Sequence, residues 1–351
     1  MALRVLHLVA GAPTGGAETF SQDAILALGE RGVEQRVICR PHPIPLERFG
    51  RAGIPVTPLN FSWIDRVLGA KGRIRRIAQD FKPDLIHAWM ARAASFVPPR
   101  MPAPVIGWFG GYYDLKYYRT ADYYMAVTRD ICDTLIERGA PADRVFCNNT
   151  FGTLPDSPLV SRAEFATPDT ATVVLVLSRM HWKKGIDTIL EAVVRTPDLY
   201  LWLAGDGPEK AKYEALAQAL GVTDRVRFLG WRTDRKSLIE AADIVALPSR
   251  YEPFGTVIIE AWAMNKPLVA AKAQGARQYV TDGVDGLLTE IDDVEGLAQA
   301  LGRVAADRDL RARLVENAAR HYRAEFTKDV VTDRLLATYD TILKNGKRLG
   351  S

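Results

Sequence analysis

Residues 249–263 read S-R-Y-E-P-F-G-T-V-I-I-E-A-W-A. The apolar run at 243–248 leads in as a buried strand does. Residues 254–264 then carry helical spacing, with a glycine-containing start whose backbone N–H groups have no intrahelical partners. A helix start of this kind attracts phosphate or another anion. Glu252 lies in the loop before it and Glu260 more than one turn inside, so one carboxylate can face the middle of a ligand and the other its far end. A nucleotide diphosphate joined to a sugar fits that layout. A capped helix with two solvated glutamates fits it too, and the rest of the chain has to separate them.

The chain has 351 residues, 48% of them hydrophobic, enough for two domains with separate cores. Residues 3–10 are interrupted by Arg4 and His7 and are too short for a signal or a membrane span, so they read as a first strand. Cys39, Cys132 and Cys147 are odd in number and widely spaced, which argues against a disulfide framework or a cysteine-zinc site and for a reducing, cytoplasmic setting. The net charge is +4, and residues 1–168 hold 20 Lys+Arg against 16 Asp+Glu. All of the excess positive charge therefore lies in the first half.

Strand-like runs at 4–9, 35–39, 55–59, 84–88, 104–108, 123–127 and 144–147 alternate with helical segments, the pattern of a buried parallel sheet. Residues 150–170 lapse into Gly, Pro, Ser and Asp and read as a linker. A second series follows at 172–177, 200–204, 225–228, 244–247 and 268–271, and two helices close the chain near 310–326 and 329–343. The expected fold is α/β, with two doubly wound, Rossmann-like domains facing across a cleft. Their expected limits are 1–165, with a C-terminal helix at about 329–345 packing back on it, and 166–328.

In open α/β sheets ligands sit beyond the carboxyl ends of the strands. After the first strand comes G-A-P-T-G-G-A-E, where Gly11, Gly15 and Gly16 allow a ligand close to the backbone; it is not G-x-G-x-x-G, which disfavours an oxidoreductase dinucleotide site. After the fourth strand stand His87 and Trp89. After the fifth, Gly110, Gly111, Tyr112 and Tyr113 pair flexible backbone with aromatic faces suited to a sugar. In the second series S-R-M-H-W-K-K-G sets Arg179 and Lys184 at the first strand end, and an arginine fork with a lysine point charge can neutralise a diphosphate. Gly205, Gly207 and Gly230 mark the next two ends. Singly, each reads as a turn glycine, a core aromatic or a solvated basic turn; together they favour a ligand edge.

The five histidines lack metal-ligand spacing, and the D-x-D at Asp307 and Asp309 reads as a helix start. No metal and no cofactor is expected, and neither G-x-S-x-G nor a P-loop is present.

These residues resemble the retaining glycosyltransferases of family 4, with the GT-B fold. The resemblance spans nearly the whole chain through G-G-A-E at 15–18, R-x-x-x-x-K-G at 179–185, G-D-G-P at 205–208 and E-x7-E at 252–260. It implies that Arg179 and Lys184 bind the donor diphosphate, that Glu252 with the backbone of Phe254, Gly255 and Thr256 holds sugar and phosphate, and that Glu260 meets the ribose hydroxyls. His87, Arg179, Lys184 and Glu252 form the expected catalytic set. Gly16, Gly205 and Gly207 fall on the donor side, and Gly15, Trp89, Gly111 and Tyr112 on the acceptor side. Two positions depart from the pattern: Trp89 replaces the second histidine of H-x-H, and Gln274-Gly275-Ala276-Arg277-Gln278 has lost the acid of G-G-x-P-E.

Residues 61–82 carry Arg66, Lys71, Arg73, Arg75, Arg76 and Lys82 against Asp65 and Asp80. Ile64, Val67, Leu68, Ile74, Ile77 and Phe81 are expected to pack on the sheet as one stripe, leaving a basic face that is either solvated or turned to an anionic membrane. Nucleic acid is not an expected partner.

The expected activity is metal-independent, retaining transfer of a sugar from a nucleotide-diphosphate donor to a cell-envelope acceptor such as lipopolysaccharide core, lipid or polysaccharide. Retention proceeds on the donor's front face or through a glycosyl-enzyme intermediate. A nucleotide-sugar epimerase of the same fold, or a catalytically silent partner that binds donor or membrane, are the alternatives. The expected location is cytoplasmic, with the inner membrane's cytoplasmic face as the surface met.

Overall fold

A computed structural model describes residues 2–12 and 15–346. The chain divides into two compact units: the first holds the residues up to Phe151 and takes the chain back from Lys328 onward, and the second is Gly152–Thr327.

In the first unit, among the described residues, β1 (Arg4–Val9), β2 (Glu34–Cys39), β3 (Val56–Pro58), β4 (Leu85–Trp89), β5 (Val105–Phe109), β6 (Tyr123–Ala126) and β7 (Val145–Cys147) form a seven-stranded parallel sheet in the order β3-β2-β1-β4-β5-β6-β7. Strands covered on both faces need apolar side chains in both directions, which is why β1 and β4 read as continuous rather than alternating runs. Strand order reverses between β1 and β4, the switch point of such a sheet. The Gly16–Glu30 helix follows β1 and lays Phe20 on Trp108 (5.7 Å between rings) and Phe151 (5.4 Å).

A buried polar network sits inside this sheet. His7 and His87 are register partners across β1 and β4, and both are wholly buried. Gln35 Oε1 lies 2.9 Å from His7 Nε2, and the Trp89 indole N–H donates to His7 Nδ1 at 3.2 Å. Nε2 therefore carries the proton of a neutral ring, and burial pushes the His7 pKa down to about 3. The returning Lys328–Asn345 helix meets the other histidine, with the Tyr339 hydroxyl 2.6 Å from His87 Nδ1. Arg31 holds the start of that helix through Asp329 (2.7 Å) and Asp333.

In the second unit β8 (Thr172–Leu177), β9 (Leu199–Ala204), β10 (Val226–Gly230), β11 (Ile244–Leu247), β12 (Leu268–Ala271) and β13 (Leu287–Thr289) form a six-stranded parallel sheet in the order β10-β9-β8-β11-β12-β13. The switch point lies between β8 and β11. Val174, Leu201 and Leu203 from the sheet pack with Ile189 and Leu301 in its core.

Two expectations are corrected. The sequence places residues 152–165 in the first domain and 150–170 in a linker, but from Gly152 onward this segment belongs to the second unit. Arg162 fastens it, donating to Ala241 O (3.1 and 2.9 Å), Ala171 O (2.6 Å) and Asp243 Oδ2 (2.9 Å), and the Ser157 and Ser237 hydroxyls meet at 2.7 Å. The apolar stripe at 61–82 is also broken. Gly69, at φ +83°, separates a Trp63–Val67 helix from an Ala70–Phe81 helix, and only the second buries its apolar side, through Ile74, Ala78 and Phe81. Ile64, Val67 and Leu68 are exposed.

Candidate active site

The residues quoted first follow β11 and meet the loop that follows β8. Gly185 makes this possible: at φ +61° it carries the turn after Trp182–Lys184, and a Cβ there would stand 2.0 Å from Pro248 O. Backbone joins the two loops, with Arg250 N and Tyr251 N both donating to Lys183 O at 2.8 and 3.2 Å. The Arg250 guanidinium completes the junction. It donates to Trp182 O (2.6 Å), to both oxygens of Asp187 (2.9 Å each) and, through Nε, reaches Asp292 Oδ1 at 2.7 Å.

That junction brings Lys184 and Glu252 together, Nζ to Oε2 at 2.5 Å, with both side chains mostly buried. Arg179, on the same β8 loop, is exposed and makes no hydrogen bond or ion pair among the described residues. Glu252 is also held through its backbone: its N–H donates to Gln274 Oε1 (3.2 Å) and its carbonyl accepts from Gly275 N (2.8 Å). The departure from G-G-x-P-E thus places an amide where the Glu252 loop needs an acceptor.

The Thr256–Ala263 helix begins after Gly255, at φ +89°. Phe254 is buried against Tyr279 (5.1 Å) and Phe326 (6.3 Å), which fixes the helix start to the unit's core. Glu260 is enclosed. Its Oε1 takes a 2.6 Å bond from Arg235, its Oε2 is buried with no partner, and burial, partly opposed by Arg235, pushes its pKa up to about 7. Ser178 Oγ and Ser249 Oγ, just beyond β8 and β11, are likewise buried without partners. Orphaned polar atoms gathered near a switch point mark a ligand edge.

Gly205 and Gly207 shape the loop after β9, where Gly205 N donates to Gly230 O (2.7 Å) and Gly207 N to Asp206 Oδ1 (2.7 Å). Met180 N bonds Asp206 O at 2.9 Å, and the pair shapes the loop that carries Arg179.

In the first unit Gly15 and Gly16 stand at the start of the helix after β1, and Glu18 folds the loop back by accepting from Ala12 N at 3.1 Å. Gly111 and Tyr112 follow β5, with the Tyr112 hydroxyl bonded to Asp130. His87 and Trp89 are corrected. Both lie inside β4 rather than beyond it, stacked with ring centres 4.0 Å apart and wholly buried, so they serve the core and do not face a substrate.

Among the described residues no three His, Cys, Asp or Glu side chains gather as metal ligands do, and Asp307 caps the Arg308–Glu325 helix by accepting from Leu310 N at 2.8 Å. Sequence reading missed Arg250, Arg235 and Gln274. Arg250 sits inside the quoted motif, and an arginine next to two ligand loops is the signal that was available.

Two parallel α/β units, the second with charged and unpartnered polar side chains beyond its switch point, define a ligand-binding class of protein, and comparison with known proteins gives the family. Residues 160–321 match the model of glycosyl transferases group 1, and residues 14–147 match that of glycosyltransferase family 4. The chain is 36% identical over 336 residues to the lipopolysaccharide core biosynthesis glycosyltransferase LpsE of Rhizobium meliloti, covering 95% of this chain and 98% of that one. Its fold matches a glycosyltransferase from Rickettsia africae (TM-score 0.86, 21% identity, 98% and 99% covered). It also matches HepE of Anabaena, solved with UDP and glucose (TM-score 0.82, 24% identity, 97% and 100% covered). The chain belongs to glycosyltransferase family 4, group 1, and has the GT-B fold.

Proposed function

We propose that this glycosyltransferase moves a sugar from a nucleotide-diphosphate donor to a lipopolysaccharide-core acceptor on the cytoplasmic face of the inner membrane, with retention at the anomeric carbon and without a metal. The observation that carries this reading is the buried Lys184–Glu252 pair at the β8/β11 switch point, beside an exposed, unpartnered Arg179. Arg179 and Lys184 would take the diphosphate together with the start of the Thr256–Ala263 helix, and Glu252 the sugar. A ribose hydroxyl would give Glu260 Oε2 the partner it lacks.

In the reaction the anomeric carbon exchanges its bond to a phosphate oxygen for one to an acceptor hydroxyl oxygen. The nucleotide diphosphate leaves with the bonding electrons, and the hydroxyl proton is released to it. Cationic side chains and a helix start supply the charge that the leaving group needs. The lipopolysaccharide-core assignment draws on the relative from Rhizobium meliloti, which matches this chain over nearly its whole length.

A thermal-shift screen of UDP-, GDP-, ADP- and CMP-sugars tests the donor half, since a ligand that binds the native state raises the melting temperature. Transfer to purified lipopolysaccharide core, with the product's anomeric configuration read by NMR, tests the rest. One nucleotide class should stabilise the protein and give a retained product. Stabilisation by none, an inverted product, or conversion of the donor with no acceptor present would overturn the reading.

A further inference from the structure

We propose that Cys132 and Cys147 are a reversible dithiol, which a peroxide closes to a disulfide that ties β7 to the helix beside it. Cys132 lies in the first turns of the Arg129–Glu137 helix, where its N–H donates to Thr128 O at 3.1 Å, and its side chain is buried. Cys147 ends β7, a three-residue strand at the edge of the sheet, and is exposed. The helix packs against β7, and the two thiols meet there in a hydrogen bond. One thiol open to solvent with a second behind it is the arrangement of an attacking and a resolving cysteine.

The surroundings sort the two roles. The hydrogen bond from Cys132 lowers the Cys147 thiol below its ordinary pKa. Desolvation and Asp133 oppose this, and the cations Arg129 and Arg334, the latter on the returning Lys328–Asn345 helix, support it. Arg129 shares its charge with Asp133, Nε donating to Oδ1 at 2.9 Å. Cys132, which gives that thiol bond and is buried, is raised and keeps its proton. Cys39 is the contrast: it is buried within β2, and burial pushes its thiol up to about 11. The thiolate is the nucleophile, so reactivity falls to Cys147.

In the reaction the Cys147 thiolate attacks one peroxide oxygen and the O–O bond breaks. Hydroxide leaves and takes up the proton that the thiol had released, becoming water. The Cys132 sulfur then attacks the Cys147 sulfenic acid, the S–O bond breaks, and the departing oxygen takes the Cys132 proton and leaves as a second water. The two thiols lose two electrons and hydrogen peroxide gains them. A dithiol reductant reverses the bond by thiol–disulfide exchange. Transient disulfides of this kind are the ones that reducing compartments hold. A three-residue edge strand has few ladder bonds, and β7 ends shortly before the chain leaves the first unit at Phe151, so the covalent tie strengthens the last strand before the crossing. The inference rests on this side-chain pair and is independent of the sugar-transfer reading.

The test is peptide mapping of the full chain after hydrogen peroxide, with free thiols blocked by iodoacetamide in denaturant. The map should show a disulfide between Cys132 and Cys147 that dithiothreitol removes, and Cys39 blocked as a free thiol. Before oxidation, Cys147 of the native chain should alkylate at least about tenfold faster than Cys39. Cys132→Ser should stop the sequence at a Cys147 sulfenic acid trapped by dimedone, and the map of the unsubstituted chain decides the matter should that variant fail to fold. Amide exchange in β7 should be slower in the oxidised chain than in the reduced one. Four results would overturn the proposal: Cys132 and Cys147 both recovered as free thiols, a disulfide that joins two chains, sulfenic acid at Cys39 instead of Cys147, or β7 amides that exchange no slower after oxidation.

Discussion

Lys184 and Glu252 lie 68 positions apart in the chain and 2.5 Å apart in the fold, Nζ to Oε2, in a junction locked by Arg250. A cation expected to serve a diphosphate is thus already shared with a carboxylate, while Arg179 nearby has no such partner.

This asymmetry separates two variants. Lys184→Ala leaves a mostly buried carboxylate without its cation and should cost about 1–3 kcal/mol of stability, in addition to weakening the donor. Arg179→Ala should leave stability within about 0.5 kcal/mol while weakening nucleotide binding by about 1.5–3 kcal/mol. Scanning and titration calorimetry read the two quantities. Unchanged nucleotide affinity in both variants would remove these residues from the diphosphate.

Glu252→Gln should act in opposite directions on binding and turnover. Removing a negative charge beside Lys184 frees the ammonium for phosphate, so the nucleotide diphosphate alone should bind tighter by roughly 1 kcal/mol. Transfer should fall, because the sugar loses its carboxylate. Weaker binding of the bare nucleotide would place Lys184 elsewhere than on the phosphates.

Activity should persist in EDTA, since fixed cations and a helix start meet the leaving charge. Loss in chelator restored by magnesium or manganese would contradict the metal-free reading.

Acid should unfold the first unit through its histidines. Burial holds His7 at about 3 and His87 well below its ordinary value of 6.5, so below pH 6.5 the unfolded chain binds more protons than the folded one. Stability present above 6.5 should fall toward pH 3 by on the order of 1 kcal/mol per pH unit for each histidine. Glu260 works the other way. Its folded pKa is raised to about 7 from 4.5, so the stability it contributes is present below 4.5 and lost as pH rises through 7. Chemical denaturation between pH 4.5 and 7 should therefore show a steeper acid decline in Glu260→Gln than in the native protein. Equal slopes would mean that Glu260 titrates as an ordinary carboxylate.

The strands were legible because sheets covered on both faces demand unbroken apolar runs, and the loops after β8 and β11 were legible because Arg, Lys, Glu and Gly cluster there. Three-residue β13 was too short to register. Trp89 was misplaced because the fourth strand was ended at 88, and one more residue of β4 turns that position into core, whereas His87 already lay inside the 84–88 run and was read as facing a ligand although both faces of the strand are covered. The enclosure of Glu260 depends on Arg235, which lies 25 positions away, and local spacing carries no sign of such a partner. The Trp63–Val67 helix misled for the opposite reason: its periodicity is that of a packed helix, but the turn at Gly69 separates it from the helix that packs and its apolar side chains stay exposed.

The Lys328–Asn345 helix fixes an order of events during synthesis. His87 acquires its tyrosine partner only after all of Gly152–Thr327 has been translated. At about 5–20 residues per second, that delay is on the order of ten seconds or more. Throughout it, the nascent first unit lacks its closing helix, and the surface that Tyr339 and Leu335 will cover stands open. The second unit, contiguous in sequence, has no such wait.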